Sequence, residues 1–125
     1  MIRFLRRKSR ILLLDDDVSM QKLVATLLRR EGYRVEVVDH GNQAIDALGK
    51  RSYDAVLLDL MMPHEGGMTV IAHLREEDPA MLERVILLTA TPEPVLKGIA
   101  AEVAGVVTKP FQPEELVETV RRVAG

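Results

Sequence analysis

A chain of 125 residues is near the commonest domain size and has room for one compact domain with one core. Its balance of 47% apolar and 29% charged residues reads as soluble and globular, and excludes a disordered tail. The absence of cysteine excludes disulfides and thiolate metal sites and favours a reducing cytosol, so any metal must use oxygen or imidazole ligands.

The formal charge of −2 conceals an asymmetry. Arg3, Arg6, Arg7, Lys8 and Arg10 precede any acid, which leaves 12 basic against 19 acidic residues in the remainder. Residues 1–9 therefore read as a basic, solvated leader, because the five charges of the first ten residues, without an aromatic ladder, make a poor membrane or nucleic-acid site. The apolar run Ile11 to Leu14 meets Asp15, Asp16 and Asp17 too soon to be the apolar region of an export signal, and no run approaches membrane-spanning length. The expected location is cytoplasmic.

In chain order, Ile11 to Leu14 is the first predicted buried strand. Met20, Leu23, Val24, Leu27 and Leu28 follow at helical spacing on one face, and Gly32 is a suitable stop. Further strands are predicted at Val35 to Val38, Ala55 to Leu58, Val85 to Leu88, and Val106 to Val107. A last helix opens at Pro113, with Glu114 and Glu115 where the helix dipole favours acids and with Leu116, Val117, Val120 and Val123 as its apolar face. Strand and helix alternating five times imply an α/β, doubly wound, five-stranded parallel sheet with helices on both faces, since parallel neighbours need right-handed crossovers.

In such sheets ligands bind beyond the carboxyl ends of the strands. That rule selects Asp15, Asp16 and Asp17 after strand one, Asp59 after strand three, Thr89 after strand four and Lys109 after strand five. Clustered carboxylates repel one another, and a hard divalent cation such as Mg²⁺ relieves the repulsion. A phosphoryl group accepted by a carboxylate adds negative oxygens, which a cation such as Lys109 and a hydroxyl such as Thr89 can meet.

Four segments now carry a family resemblance. Leu14-Asp15-Asp16-Asp17, Leu57-Leu58-Asp59-Leu60-Met61-Met62-Pro63, Leu88-Thr89-Ala90 and Lys109-Pro110-Phe111 together resemble the motifs of response-regulator receiver domains, a flavodoxin-like fold, over about Arg10 to Val123. The resemblance assigns residues 10–125 to a receiver domain of two-component signal transduction, a signalling module and not an enzyme. It implies Asp59 as phosphoacceptor, with Mg²⁺ held by Asp15, Asp16, Asp59 and the backbone carbonyl of Met61. Asp17 stays outside the metal's ligands, Lys109 contacts the acyl phosphate, Thr89 moves toward it, and the small Ala90 keeps Asp59 approachable. The bond from Lys109 to Pro110 is often cis in this family. The implied partners are a sensor histidine kinase or a histidine phosphotransfer protein upstream and a protein or output domain downstream, without direct nucleic-acid binding by this domain. Family members often dimerise through helix four, strand five and helix five, so a homodimer is one assembly implied.

Blander readings exist for the same residues. Asp17 can simply cap the first helix, His40, His64 and His73 are scattered without metal-ligand spacing, and Met61 and Met62 suit adaptable packing. A haloacid-dehalogenase-type enzyme with Asp15 as nucleophile leaves the segment from Asp59 to Pro63 unexplained.

The sequence also departs from the family. Val106 stands three positions before Lys109, where a receiver commonly has an aromatic ring that turns inward on activation. Pro92 and Pro94 lie just after Thr89, so helix four is expected to start no earlier than Pro94. The alternative function is therefore a receiver-fold interaction module whose phosphorylation-dependent output is non-standard or lost.

Overall fold

The computed structural model describes residues 9–62, 65–90 and 93–125, with side chains undescribed at 93–95. The basic leader up to Lys8, Pro63, His64, Thr91 and Pro92 lie outside the described residues. Five strands form one parallel sheet in the order β2-β1-β3-β4-β5: β1 (Arg10–Leu14), β2 (Arg34–Val38), β3 (Ala55–Leu58), β4 (Val85–Thr89) and β5 (Gly105–Thr108). The doubly wound sheet expected from the alternation is thus present. Its reversal falls at β1, which pairs with β2 on one side and β3 on the other.

The strands alternate their burial between two layers. Leu12, Leu14, Val56, Leu58, Val85 and Leu87 pack on one face against α2 (Gly41–Lys50), α3 (Gly67–Glu77) and α4 (Glu93–Ala100). Ile11, Leu13, Ala55, Leu57, Ile86, Leu88 and Val107 pack on the other against α1 (Val18–Arg30) and α5 (Pro113–Ala124). The central strands β1, β3 and β4 are continuous apolar runs because both faces are covered.

Local chemistry explains the helix ends. Asp17 caps α1, accepting from the Ser19 and Met20 amides at 2.9 and 3.3 Å. Gly32, with φ of 94°, ends α1 in a Schellman arrangement: its amide donates to the Arg29 carbonyl, and the Tyr33 amide donates to that of Leu28. Pro113 opens α5 with Glu114 and Glu115 in the first turn, as the sequence indicates.

Two expectations need adjustment, and one element is new. On α1, Val24 and Leu28 are buried and Met20 and Leu27 half-buried, but Leu23 is 47% exposed, because the buried stripe centres on Val24, Ala25 and Leu28 and leaves Leu23 at its margin. Helix α4 opens at Glu93, one residue before Pro94, which is compatible with a proline in a first turn where no amide donor is required. A 3₁₀ segment at Pro79–Arg84, which the sequence pattern did not reveal, leads into β4.

Candidate functional site

The carboxyl ends of β1, β3, β4 and β5 bring the predicted residues to one rim. Asp15 and Asp16 follow Leu14, Asp59 follows Leu58, Thr89 is the last residue of β4, and Lys109 follows Thr108. Main-chain bonds fix their relative depth: the Asp15 amide donates to Val38, the Asp59 amide to Leu14, and the Lys109 amide to Thr89 at 3.0 Å. Parallel register aligned by hydrophobic residues therefore sets the height of every polar group at the rim.

Asp15, Asp16 and Asp59 each offer a carboxylate oxygen within 4.8 Å of the others. Asp15 and Asp59 are 0% and 5% exposed, whereas Asp16 is exposed, so solvent reaches the cluster from the Asp16 side. The two buried acids are bound alike. Asp15 Oδ1 accepts from the Asp17 amide and Asp59 Oδ1 from the Met61 amide, both at 2.9 Å. The second oxygen of each faces Lys109, whose Nζ lies 2.8 Å from Asp15 Oδ2 and 3.2 Å from Asp59 Oδ2.

Burial alone would push the Lys109 ammonium down, but the hydrogen bond and charge of Asp15, joined by those of Asp59, outweigh it and hold its pKa above the ordinary lysine value. Lys109 is thus a fixed cation at neutral pH, poised between two acids. The Lys109–Pro110 peptide bond is cis. Thr89 is fully buried at the β4 terminus, opposite Thr108 in register, and Ala90 after it is exposed.

An all-oxygen donor set of three carboxylates suits a hard divalent cation such as Mg²⁺. The segment after Asp59 closes back on it, since the Gly67 amide donates to the Asp59 carbonyl at 2.8 Å. A Cβ on Gly67 would sit 2.7 Å from that carbonyl oxygen, which only glycine avoids. Two glycines, seven and eight residues beyond Asp59 at the opening of a helix, are the signal in the sequence for this close approach.

Other residues fall outside this cluster. Asp17 is the α1 cap, Met61 has an exposed side chain, and Met62 is partly buried against the core. His40 precedes α2 beside Asp39, and His73 lies on α3; neither belongs to the acidic group. The sequence pattern also missed Tyr53, fully buried below the sheet, whose hydroxyl donates to Glu36 Oε1 at 2.7 Å.

A parallel five-stranded α/β domain with an acidic rim bridged by lysine defines a signal-receiver class of fold and site. Residues 11–121 match the family model described as the response regulator receiver domain, and the chain belongs to that family. Among curated relatives, it is 37% identical over 114 residues to the DNA-binding response regulator MtrA of Mycobacterium tuberculosis (strain H37Rv), covering 91% of this chain and 50% of that one. It is 34% identical over 116 residues to the transcriptional regulatory protein ResD of Bacillus subtilis, covering 91% and 47%. The chain thus spans about half the length of these curated relatives.

Solved structures agree. Chemotaxis response regulator CheY4 of Vibrio cholerae superposes with a TM-score of 0.81 at 29% identity, over 94% of this chain and 99% of that one. The receiver domain of sensor histidine kinase PA1611 from Pseudomonas aeruginosa, solved with a magnesium ion coordinated in its active-site cleft, gives 0.83 at 29% identity over 95% and 99%.

Proposed function

We propose that this receiver domain accepts a phosphoryl group on Asp59 from a histidine kinase or a histidine phosphotransfer protein and relays the change through a protein contact in the cytoplasm. The observation that carries the reading is the convergence of Asp15, Asp16 and Asp59 within 4.8 Å, with Lys109 bound to two of them. A carboxylate oxygen of Asp59 attacks phosphorus while the bond from phosphorus to the donor nitrogen breaks, and the electron pair leaves with the donor. Asp15, Asp16, Asp59 and the Met61 carbonyl would hold Mg²⁺, which supplies positive charge to the transferring oxygens.

Lys109 supplies the second positive charge. Its Nζ already lies at hydrogen-bond distance from Asp59 Oδ2, so it can follow the negative charge onto a phosphoryl oxygen with little movement. Thr89, at the end of the adjacent strand, would donate its hydroxyl to another phosphoryl oxygen. This domain makes no direct nucleic-acid contact in this reading; any DNA binding belongs to output domains such as longer regulators carry.

Val106 favours a second reading of the output step. It is aliphatic and half-buried against the cluster containing Leu96 and Ile99 of α4, so no aromatic ring turns inward here. Output in this chain runs through repacking of α4, or the domain is an interaction module without phosphorylation-dependent output.

Intact mass after incubation with a small acyl phosphodonor, with Mg²⁺ or with chelator, tests the first reading. The expected result is a Mg²⁺-dependent gain of one phosphate that Asp59→Asn abolishes. A folded parent that binds Mg²⁺ yet gains no phosphate would overturn the phosphoacceptor role and leave the interaction module.

A further inference from the structure

The segment from Asp59 to Gly67 carries the Met61 carbonyl, and its placement is a problem of backbone geometry. Its internal closure is the Gly67 amide on the Asp59 carbonyl and the Met61 amide on Asp59 Oδ1. Its end is tied to α3, which follows it, through the Gly66 carbonyl, which accepts from the Thr69 and Val70 amides, and a further main-chain hydrogen bond ties it to α2. The amide of Gly41, the first residue of α2, donates to the Glu65 carbonyl at 2.7 Å. The first four amides of a helix have no intrahelical acceptor, so Glu65 satisfies an otherwise orphaned donor while α2 anchors the segment.

The approach leaves little room for a side chain. A Cβ at Gly41 would lie 3.1 Å from the Gly66 carbonyl oxygen and 3.2 Å from the Glu65 carbonyl carbon and oxygen. These neighbours are main chain and cannot rotate aside, so a side chain at 41 shifts the helix start and the Glu65–Gly66 main chain apart by a few tenths of an ångström. The same end of α2 is also fixed by its own capping: the Gln43 side-chain oxygen accepts from the Asp39 and His40 amides at 3.0 and 3.2 Å, and Ala44 and Ala47 are buried. Gly66 in turn lies against the residue after Met61, since a Cβ on Gly66 would sit 2.9 Å from the Met62 Cβ.

We propose that Gly41 is a positioning residue for the Mg²⁺ site, setting the Met61 carbonyl through the Glu65–Gly66 main chain; this rests on the reading that Met61 is a ligand. Gly49 of the same helix is the internal control, because a Cβ there meets nothing within 4 Å.

The test is calorimetric Mg²⁺ titration of the intact protein, Gly41→Ala and Gly49→Ala, with thermal unfolding of each in chelator. Gly41→Ala is expected to weaken Mg²⁺ binding about tenfold, as loss of a ligand's supporting contact does, while it unfolds at a temperature comparable to the parent. Gly49→Ala is expected to bind Mg²⁺ as the parent does. Parental affinity in folded Gly41→Ala overturns the proposal. If Gly41→Ala does not fold, amide hydrogen exchange in the parent decides. Protection of the Gly41 amide rises with Mg²⁺ if the two sites are coupled, and unchanged protection overturns the coupling. A parent that binds no Mg²⁺ overturns both this proposal and the metal part of the preceding reading. A parent that binds Mg²⁺ with the expected Gly41 dependence, but takes no phosphate, overturns only the phosphoacceptor role.

Discussion

The acidic rim and the α4–β5 edge of the same sheet are held by different forces. At the rim, Asp15 and Asp59 each accept one amide two residues along the chain and share one ammonium, so the arrangement is made of short, directional contacts. At the edge, Leu96, Ile99, Val103 and Val106 pack by shape, and a side-chain tie there is an exposed pair in which Arg75 of α3 donates to Glu102 at 2.6 Å. Directional contacts fix a geometry from few residues, whereas packing distributes it over many. Chemistry at the rim should therefore survive changes at the edge, and stability at the edge should change without altering chemistry.

Removing the shared cation is the strongest way to break that contrast. Lys109→Met leaves two buried carboxylates facing each other, with an expected loss of about 3 kcal/mol in urea denaturation without Mg²⁺. Mg²⁺ should restore more stability to this variant than to the parent, because the ion supplies the missing charge. Equal Mg²⁺ stabilisation of both proteins would show that Lys109 and the metal do not answer the same repulsion.

A change at the edge sharpens the comparison from the other side. Val106→Phe introduces the larger side chain into a half-buried aliphatic position and should cost about 2 kcal/mol through overpacking. Its phosphorylation rate with a small donor should match the parent. A rate that falls in proportion to stability would mean that rim and edge are one mechanical unit.

The smallest expected effect lies below the sheet, away from both regions. Burial, then the hydrogen bond and charge of Glu36, raise the Tyr53 pKa well above its ordinary value. Tyr53→Phe should cost about 1 kcal/mol at neutral pH. A raised folded pKa means the contribution is fully present below about pH 10, the ordinary tyrosine value, and is lost as pH rises through the folded one. The stability difference between parent and Tyr53→Phe should therefore be level from neutral pH to about 10 and shrink above it. A difference that instead varies around neutral pH would assign the effect to another group.

Much of this protein was determined by the sequence alone. Five apolar runs alternating with helical periods specified the sheet, because burial on both faces permits little else, and the parallel connection put Asp15, Asp16, Asp59, Thr89 and Lys109 at one end. The Gly32 stop and the Pro113 start were equally legible, since each depends on its own backbone. What lies between distant segments was not. The exposure of Leu23, the pairing of Tyr53 with Glu36 and the contact of Gly41 with Glu65 depend on which surfaces meet after the sheet closes. Periodicity reports which face of an element is apolar, but only the tertiary structure decides which main-chain atoms approach within 3 Å, and there a position has no room for a Cβ, as at Gly67 against the Asp59 carbonyl.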